Sequence, residues 1–364
     1  MIPKRVIVAM SGGVDSSVAA LLLKKEGYDV IGVTLRLWSN TNNQNIAANH
    51  RGCCSPEDVD DARQSCQIIG IPHYLLNAEA EFKSHVIDYF VQEYARGRTP
   101  HPCLACNDKI KFDFLFGRAQ NLGSELIATG HYAKIIKNDN TYELHKADYL
   151  DKDQSYVLHM LTSEKLEYIE FPLGTISKPE VRQIAAELGL KTAFKKDSQD
   201  ICFVGKKDYR NFVNTRVDIS SSGEIVDNNG KKIGEHKGVH EFTVGQRKGL
   251  PGGQGEAKYV TKIDVSSKKV HIGERKDLLV QNFLLDEVSF VNDIVTNNLT
   301  IQTRYNSEDL KCNINEIGNG QLEVTLHEST YGVAPGQFGV IYQGTKLVGG
   351  GRISSKVLEK SGNG

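Results

Sequence analysis

Three cysteines lie in polar loops, where a thiol can take part in chemistry. Cys103 and Cys106 stand three residues apart in a proline-rich segment, and Cys202 follows the polar run 195–200. The thiolate is the reactive form of cysteine, and the positive end of a helix lowers the pKa of a thiol. We expect a helix to begin just after Cys106, which favours Cys106 as a nucleophile. If one thiol accepts sulfane sulfur and another resolves the product, such a set of cysteines transfers sulfur.

The spacing Cys103-x-x-Cys106, together with Cys202, leaves a metal hypothesis open. Three thiolates that converge can hold a [4Fe–4S] cluster with one iron left open. Structural zinc is less favoured, because no fourth ligand has the spacing of a tetrahedral site. The chain has seven cysteines in 364 residues, an odd number that argues against a disulfide framework. We interpret Cys66 and Cys312 as packing residues.

A glycine-serine loop, Ala9–Ser17, follows the first predicted strand and opens the first predicted helix. Gly12 and Gly13 let the backbone turn tightly, and the helix N-terminus offers N–H groups and partial positive charge to an anion. Asp15 would repel a phosphate unless a cation lay between them, so the loop indicates bound Mg²⁺. It is not a Walker A loop, since no Gly-Lys-Ser/Thr follows. The alternative is a Gly-Ser turn that only caps the helix.

The elements that must hold these residues alternate between strands and helices in the first half of the chain. Strands are predicted at 6–10, 30–35, 73–76 and 126–129, and helices at 16–25, 55–70, 79–95 and 109–120. For the second helix, Ser55 is the predicted N-cap, Pro56 lies in the first turn and Gly70 ends the helix. Alternation of this kind predicts a parallel sheet with helices on both faces.

After about residue 205 the helical periods stop, and short β-like runs separated by turn residues take over. A hairpin is predicted at 258–264 and 269–273, and a small barrel from the runs at 287–291, 299–304, 321–326 and 337–342. We therefore predict three domains: a catalytic nucleotide-binding α/β domain at 1–205, a central β domain at 206–280 and a C-terminal β-barrel at 281–364.

The composition, with 39% hydrophobic and 24% charged residues, is that of a globular protein rather than a disordered one. No apolar run approaches the ~20 residues that a membrane span needs, and no signal-peptide pattern opens the chain. We expect a cytoplasmic protein that does not bind membranes. The net charge of −1 argues against a generally basic nucleic-acid protein but leaves room for a local basic surface.

The sequence Ser-Gly-Gly-Val-Asp-Ser at 11–16 resembles the pyrophosphate loop of the N-type ATP pyrophosphatases. The resemblance implies an adenine nucleotide alpha hydrolase-like (HUP) domain that cleaves ATP between its α- and β-phosphates and passes AMP to an oxygen of the substrate. The segment Thr129–Ala133 is similar to a second nucleotide-side segment of this group. Contacts to ATP would then fall on Ala9, Met10, Ser11, Gly12, Gly13, Val14, Asp15, Ser16, Leu35 and Gly130.

Two cysteine segments resemble a narrower family. Arg-Thr-Pro-x-Pro-x-x-x-Cys-Asn at 98–107 and Asp-Ser-Gln-Asp-Ile-Cys-Phe at 197–203 are similar to the signatures of tRNA-specific 2-thiouridylases. The resemblance continues at 152–156, 243–250, 304–305 and 335–337. It covers essentially the whole chain.

This resemblance implies that ATP adenylates the 2-oxygen of the wobble uridine in lysine, glutamine and glutamate tRNAs. Cys202 would carry a persulfide delivered by a cysteine-desulfurase relay, and its terminal sulfur would replace the activated oxygen as AMP leaves. Cys106 would be the partner nucleophile and form a disulfide with Cys202 that must then be reduced. Contacts to tRNA would fall on His131, Lys152, Asp153, Gln154, Arg304, Tyr305 and Gln337.

One position departs from the common pattern of this family, which has an aspartate three residues before the nucleophile, after Asn-Pro. Here the residues are His101, Pro102 and Cys103, so the acid–base role of that aspartate cannot be transferred. Two rival functions stay open. One is another adenylating pyrophosphatase, such as a lysidine synthetase, which needs no cysteine. The other is a nucleotide-sensing RNA-binding module, which would bind ATP without forming AMP.

Overall fold

The computed structural model describes residues 3–38, 55–139, 141–197, 201–204, 209–216, 222–251, 257–292 and 296–355. The chain folds as two compact units, each with buried apolar clusters of its own. The first unit contains Met1–Ile87, Pro102–Lys207 and Thr345–Leu347. The second contains Asp88–His101, Asp208–Gly344 and Val348–Gly364.

The first unit is built around a parallel sheet. Its described strands are β1 (Arg5–Ala9), β2 (Asp29–Arg36), β3 (His73–Asn77), β4 (Leu126–Ala128), β5 (Ala133–Asn138), β6 (Thr141–Lys146) and β7 (Ile169–Glu170). Parallel pairing gives the order β3-β2-β1-β4-β7, and β5 and β6 form an antiparallel hairpin. Val6, Ile7 and Val8 of the central strand have no exposed surface, because both faces of a parallel sheet are covered. The predicted parallel sheet is confirmed.

The described helices are of three kinds, α, π and 3-10. The described α-helices are α1 (Val14–Lys25), α2 (Pro56–Ile69), α3 (Glu79–Phe82), α4 (Asp88–Ala95), α5 (Pro102–Ala105), α6 (Leu115–Asn121), α7 (Ser163–Leu166), α8 (Lys178–Glu187) and α9 (Tyr209–Asn214). The segments Lys83–Ile87 and Cys106–Phe114 are π-helical, and 3-10 turns span Leu150–Lys152, Ser155–Leu158, Lys191–Phe194, Val239–Glu241 and Arg275–Leu278. Over the described ranges, none of the helices combines the length and the apolar character that crossing a membrane requires.

Two helices of the first unit begin at capping boxes. Ser55 Oγ accepts the N–H of Asp58 at 3.2 Å, and the Asp58 carboxylate accepts the N–H of Ser55 at 3.1 Å. The helix α2 ends at Gly70, whose φ of 75° is left-handed. The predicted start and end of this helix are confirmed. A second box at Ser177 and Glu180 starts α8, a helix that is absent from the sequence predictions.

A four-stranded sheet forms the central part of the second unit. Its strands are β8 (Gly223–Val226), β9 (Lys232–His236), β10 (Tyr259–Asp264) and β11 (Lys269–Gly273), in the order β10-β11-β8-β9. The strands β10 and β11 pair antiparallel, which confirms the predicted hairpin. Val260 and Val270 are fully buried between the sheet and its neighbours.

The last strands of the chain close into a barrel. They are β12 (Val280–Phe290), β13 (Leu299–Gln302), β14 (Leu310–Gly318), β15 (Gln321–Thr330), β16 (Phe338–Gln343) and β17 (Lys346–Ile353). The order β12-β15-β14-β13-β16-β17, with β12 paired to β17, gives six strands in a ring, and the predicted barrel is confirmed. The strand predicted at 287–291 is only the end of β12. A register shift at Glu287, whose φ is 54°, interrupts the period-two pattern.

Candidate active site

The phosphate loop is the turn between β1 and α1 at the carboxyl edge of the parallel sheet. Gly12 has a φ of 71°, and a Cβ there would lie 2.1 Å from the carbonyl oxygen of Asp58, so only glycine fits. Ser16 Oγ accepts the N–H of Ser11 at 3.2 Å and donates to the carbonyl oxygen of Gly13 at 3.2 Å. Because Gly13, the N-cap of α1, has no side chain, it leaves the first N–H groups of α1 to an anion.

Gly130 packs against this loop. A Cβ at Gly130 would lie 2.7 Å from the backbone of both Asp15 and Ser16, and such a contact excludes any side chain. The structure therefore brings Gly130 together with Ala9–Ser16, the residues predicted to contact ATP. Leu35, the other residue of that set, is buried in β2 beside β1.

A lysine occupies the position beside Asp15 where the sequence predicts a cation. Lys178 Nζ lies 2.7 Å from each carboxylate oxygen of Asp15, and the Tyr132 hydroxyl donates to Oδ1 at 2.7 Å. Lys178 extends from the first turn of α8, and its side chain is only 8% exposed. Burial and the neighbouring Asp15 carboxylate raise the pKa of Tyr132, so its hydroxyl keeps the proton that it donates.

Asp197, which precedes Cys202 by five residues, forms ion pairs with three cationic side chains. Its Oδ1 accepts from Lys178 Nζ at 3.0 Å and from Arg182 Nη2 at 2.9 Å, and its Oδ2 accepts from Lys152 Nζ at 2.8 Å. Burial opposes ionisation, but the hydrogen bonds from Lys152 and Lys178 outweigh it and lower the pKa of Asp197. The ammonium of Lys178 therefore bridges this carboxylate and the phosphate loop.

A second connection to the phosphate loop runs through Lys195. Its Nζ donates to the carbonyl oxygen of Gly12 at 3.0 Å and to the carboxylates of Asp58 and Asp61 at 2.6 Å each. Burial opposes the charge, but the bonds to the two carboxylates outweigh it and raise the pKa of Lys195. Residues 195 and 197 are thus tied to the loop by two lysines, Lys195 and Lys178.

The helix that carries Cys106 begins at Pro102, seven residues before the predicted start at residue 109. The helix α5 leads directly into the π-helical segment Cys106–Phe114. Proline suits the first turn of a helix, because its missing N–H would have no partner there. The exposed Cys103 therefore lies in the first turn, and Cys106 is partly buried at the junction of α5 and the π-helical segment. The prediction that Cys106 lies at the positive helix end is wrong.

The segments that carry Cys106 and Cys202 share a neighbour, the helix α3. This helix packs on the π-helical segment Cys106–Phe114. Its Phe82 also meets Phe203, the residue after Cys202, edge to face at 5.6 Å between ring centroids. One short helix thus contacts both thiol-bearing segments.

Asn107, the residue after Cys106, anchors its helix from inside the first unit. It is buried, and its Nδ2 donates to the carbonyl oxygen of Val157 at 2.8 Å. Val157 lies in the 3-10 turn that follows Gln154. Gln154 Oε1 accepts the N–H of Tyr132 at 3.1 Å. Since Tyr132 also holds Asp15, a chain of hydrogen bonds and short turns joins the helix of Cys106 to the phosphate loop.

Cys103, Cys106 and Cys202 are not joined by disulfides in the described part of the chain. Within the described part of the chain, which includes all three, no group of three or more His, Cys, Asp or Glu side chains is arranged to hold a metal ion. The thiols therefore do not form the three-thiolate site that the [4Fe–4S] hypothesis needs. The disulfide between Cys106 and Cys202 remains an expectation about the reaction.

His131, one of the predicted tRNA contacts, is buried in the first unit and only 7% exposed. Its Nδ1 shares a hydrogen bond of 2.7 Å with Thr129 Oγ1, and its ring packs against Phe112 and Phe171. Burial, aided by the charge of Lys111, holds the pKa of His131 well below its usual range. The imidazole is therefore neutral and serves the packing of this unit.

Residues 152–154, which are predicted to contact tRNA, differ in exposure and in the contacts of their side chains. The side chain of Lys152 is 41% exposed. Asp153 accepts hydrogen bonds from the hydroxyl of Ser155 at 2.7 Å and from the N–H of Ala147 at 2.9 Å. Burial raises the pKa of Asp153 against these bonds. Of this stretch, Lys152 is the residue that combines charge with access to solvent.

The remaining predicted tRNA contacts belong to the second unit. Arg304 is exposed and Tyr305 is partly buried in the turn after β13. Gln337 Nε2 donates to the carbonyl oxygen of Thr99 at 2.8 Å, and the N–H of Thr99 donates to the carbonyl oxygen of Pro335 at 2.9 Å. Gln337 therefore holds the backbone of the Arg-Thr-Pro motif.

The sequence predictions assign no role to Tyr132 and Lys195, which lie inside the segments 129–133 and 195–200, and they do not mention Lys178 and Arg182. One local signal existed, because Ser177-x-x-Glu180 is a capping box that puts Lys178 in the first turn of a helix. No spacing rule gives its contact with Asp15, which is 163 positions away.

The parallel sheet with its phosphate loop, and the β-sheet and barrel that follow it, define a multidomain nucleotide-binding α/β protein. Three family models match the chain in succession. Residues 4–206 match the tRNA methyl transferase HUP domain, residues 210–274 the tRNA methyl transferase PRC-barrel domain, and residues 280–353 the aminomethyltransferase beta-barrel domain.

Relatives of nearly equal length identify the family. The tRNA-specific 2-thiouridylase MnmA of Geobacter metallireducens is 42% identical over 361 residues, 98% of each chain. The protein of the same name from Clostridioides difficile is 42% identical over 367 residues, with 98% of this chain and 99% of that one covered. The one from Rickettsia akari is 40% identical over 357 residues, 97% of each. The chain belongs to the family of tRNA-specific 2-thiouridylases, whose members are named for thiolation rather than methylation.

Proposed function

We propose that this protein is a tRNA-uridine 2-sulfurtransferase that uses ATP to replace the 2-oxygen of the wobble uridine with sulfur. The observation that carries the proposal is the similarity to 2-thiouridylases over 98% of the chain. The phosphate loop and both cysteine motifs fall inside the matched length. Lysine, glutamine and glutamate tRNAs are the proposed substrates.

Activation by ATP is needed because a carbonyl oxygen is a poor leaving group. The 2-oxygen of uridine attacks the α-phosphorus of ATP, pyrophosphate leaves, and the adenylated oxygen can then depart as AMP. The loop Ala9–Ser16 and the N–H groups of α1 bind the phosphates, and Gly130 allows close approach of the backbone. Mg²⁺ is usually held by one or two carboxylates together with phosphate oxygens, so Asp15 is a fitting ligand for an ion that would neutralise the phosphates.

The sulfur enters as a persulfide on Cys202, delivered by a cysteine-desulfurase relay. Its terminal sulfur attacks C2 of the activated uridine, and AMP leaves. The thiolate of Cys106 then attacks Sγ of Cys202, and the persulfide S–S bond breaks with its electron pair on the sulfur bound to C2. That sulfur becomes the thiocarbonyl, Cys106 and Cys202 are left as a disulfide, and a thiol reductant restores them.

Other parts of the proposal concern binding and organisation. Lys152 and Arg304 offer accessible positive charge for tRNA phosphates. We also propose tRNA contacts, on the basis of the family motifs alone, at His131, Asp153, Gln154, Tyr305 and Gln337. We also propose a cytoplasmic location. The proposed domain boundaries are 1–205, 206–280 and 281–364.

The test is mass spectrometry of nucleosides from tRNA that has been incubated with the protein, ATP, Mg²⁺ and a persulfide donor. We expect 2-thiouridine to form, to disappear with Cys202→Ser, and to persist with Cys312→Ser, which changes a buried cysteine of the barrel. Unchanged wobble uridine with an intact donor would refute the function.

The same assay separates the rival functions. A lysidine synthetase-like enzyme would keep its activity with Cys202→Ser, because its chemistry needs no thiol. A nucleotide-sensing RNA-binding module would bind ATP but release no AMP when tRNA is added. Release of AMP that depends on tRNA, together with sulfur transfer that depends on Cys202, is the pattern expected of a sulfurtransferase.

A further inference from the structure

The phosphate loop has no basic residue of its own. Residues 9–17 contain neither lysine nor arginine, whereas a Walker A loop brings its own lysine to the phosphates. A nucleoside triphosphate carries several negative charges, and Asp15 adds one more inside the loop. Positive charge from another part of the chain would therefore favour a triphosphate at this site, in addition to the proposed Mg²⁺.

Lys178 stands where that charge is needed. Its ammonium bonds both oxygens of Asp15 at 2.7 Å and one oxygen of Asp197 at 3.0 Å, and it lies 5.8 Å from the ring centroid of Tyr132. The side chain is 8% exposed. A buried ammonium is stable only when carboxylates or other acceptors surround it. These two carboxylates therefore keep a positive charge at the edge of the loop.

We propose that Lys178 is the phosphate-binding lysine of this site, and that Asp197 is the positioning residue through which Lys178 holds the segment 193–197, which precedes Cys202 in the chain. The inference deepens the function proposed above and rests on it for the role of ATP. When the phosphates of ATP enter the loop, they compete with Asp15 and Asp197 for one ammonium. The bond between Lys178 and Asp197 weakens, so occupancy by ATP changes the restraints on that segment.

The segment 193–197 is bound tightly enough to transmit such a change. Arg182 Nη1 donates to the carbonyl oxygens of Ala193 at 2.6 Å and Lys195 at 2.9 Å. Lys195 in turn donates to the carbonyl oxygen of Gly12 at 3.0 Å. The segment is therefore fixed by Arg182 and is tied to the phosphate loop through Lys195.

A purely structural ion pair would behave differently. It would stabilise the fold whether or not ATP is bound, and its loss would lower the melting temperature without changing the affinity for ATP. The two roles are separable because one predicts an effect of the charge of Lys178 on ligand binding and the other does not.

The first experiment measures binding of MgATP by equilibrium dialysis. We expect Lys178→Met to weaken binding about tenfold or more, the factor that a lost charge-assisted hydrogen bond gives, and Lys178→Arg to restore part of it. The matched control is Lys165→Met, because Lys165 also bridges two aspartates of the first unit, Asp113 at 2.8 Å and Asp108 at 3.6 Å. Wild-type affinity in folded Lys178→Met would overturn the inference.

This measurement does not depend on tRNA or on sulfur. Absence of 2-thiouridine from the nucleoside assay would refute the proposed function and leave the result on Lys178 intact. If Lys178→Met does not fold, Asp197→Asn decides, since it leaves Lys178 in place and removes a competing charge. We expect Asp197→Asn to bind ATP at least as tightly as the wild type, and weaker binding by the folded variant would contradict the competition.

The second experiment follows the Cys202 thiol directly. The rate at which iodoacetamide labels Cys202 is measured by peptide mass spectrometry with and without MgATP. We expect ATP to change this rate in the wild type and in Lys165→Met, and to have no effect in Asp197→Asn. An equal response to ATP in Asp197→Asn and the wild type would show that Asp197 does not couple the two sites.

Discussion

Both carboxylate oxygens of Asp15 are bonded by the ammonium of Lys178, which lies 163 positions further along the chain. Asp15 is in the first turn of α1 and Lys178 is in the first turn of α8, and the two helices pack together. The positive ends of two helices and one ammonium therefore gather around a single carboxylate. An excess of positive charge at this point suits the phosphates of a nucleotide, although no basic residue is present in the loop itself.

The close approach of Gly130 to the phosphate loop makes its substitution a sharp test of the nucleotide site. A Cβ at Gly130 would lie 2.7 Å from backbone atoms of Asp15 and Ser16, so Gly130→Ala must displace the start of α1. We expect the KM for ATP in tRNA-dependent AMP release to rise about tenfold or more, and the protein to lose about 1–3 kcal/mol of stability.

The matched control is Gly117→Ala in α6, where an added Cβ meets no atom within 4 Å. Alanine is a better helix former than glycine by about 1 kcal/mol, so this variant should keep its activity and be slightly more stable. Equal ATP kinetics in Gly130→Ala and Gly117→Ala would mean that Gly130 does not shape the nucleotide site.

The proposed sulfur transfer leaves the enzyme with a disulfide between Cys106 and Cys202 after one turnover. With persulfidated enzyme, excess tRNA and ATP, and no reductant, we expect each 2-thiouridine to be accompanied by loss of one Cys106 thiol and one Cys202 persulfide. Peptide mapping under non-reducing conditions should find these two cysteines joined. Cys106→Ser should fail to release the product sulfur, and product formation at the wild-type rate with Cys106→Ser would exclude Cys106 as the resolving thiol.

The sequence predicts those structural features whose signals lie in a few neighbouring residues, and it does not predict contacts between distant residues. The capping box at Ser55 and the left-handed Gly70 can each be recognised from the residues next to them, and α2 has the predicted ends. The helix carrying Cys106 begins at Pro102 and not at residue 109 as predicted, because proline suits the first turn of a helix. Gln337 pairs with Thr99, 238 positions away, and no local pattern encodes such a contact.

The β5–β6 hairpin is another element that is absent from the sequence predictions. Its strands, Ala133–Asn138 and Thr141–Lys146, are short and half-exposed over much of their length, and the first of them lacks the alternation that marks a strand in sequence. Their stability comes from partners elsewhere in the first unit. Lys346 Nζ, for example, bonds Glu143 at 2.5 Å.

The role of Cys103 is open to a direct measurement, because this residue replaces the aspartate common in the family. Its thiol is exposed in the first turn of α5, and the persulfide mechanism assigns it no step. We expect Cys103→Ser to retain 2-thiouridine formation within about threefold of the wild type, an effect below 1 kcal/mol in activation free energy. The variant should also contain as little iron as the wild type after anaerobic purification.

Loss of activity and of bound iron in Cys103→Ser would support the iron–sulfur hypothesis instead. Stoichiometric iron with visible charge-transfer absorbance in the anaerobic wild type, lost in Cys103→Ser together with activity, would establish a cluster that depends on Cys103. Cys66→Ser is the control for general thiol effects, because Cys66 is buried in the core, where burial raises its pKa to about 12.

His101, in the second unit, makes stability depend on pH in a defined window. Burial lowers the pKa of its imidazole to about 4, against about 6.5 in an unfolded chain. Between these values the unfolded state binds more protons than the folded state, so the free energy of unfolding falls as the pH drops from about 6.5 to about 4. We expect the melting temperature to decline through this window, and to decline less steeply in His101→Asn. His85→Asn, which changes an exposed histidine, should retain the wild-type slope, and identical slopes in all three proteins would show that His101 is not buried in its neutral form.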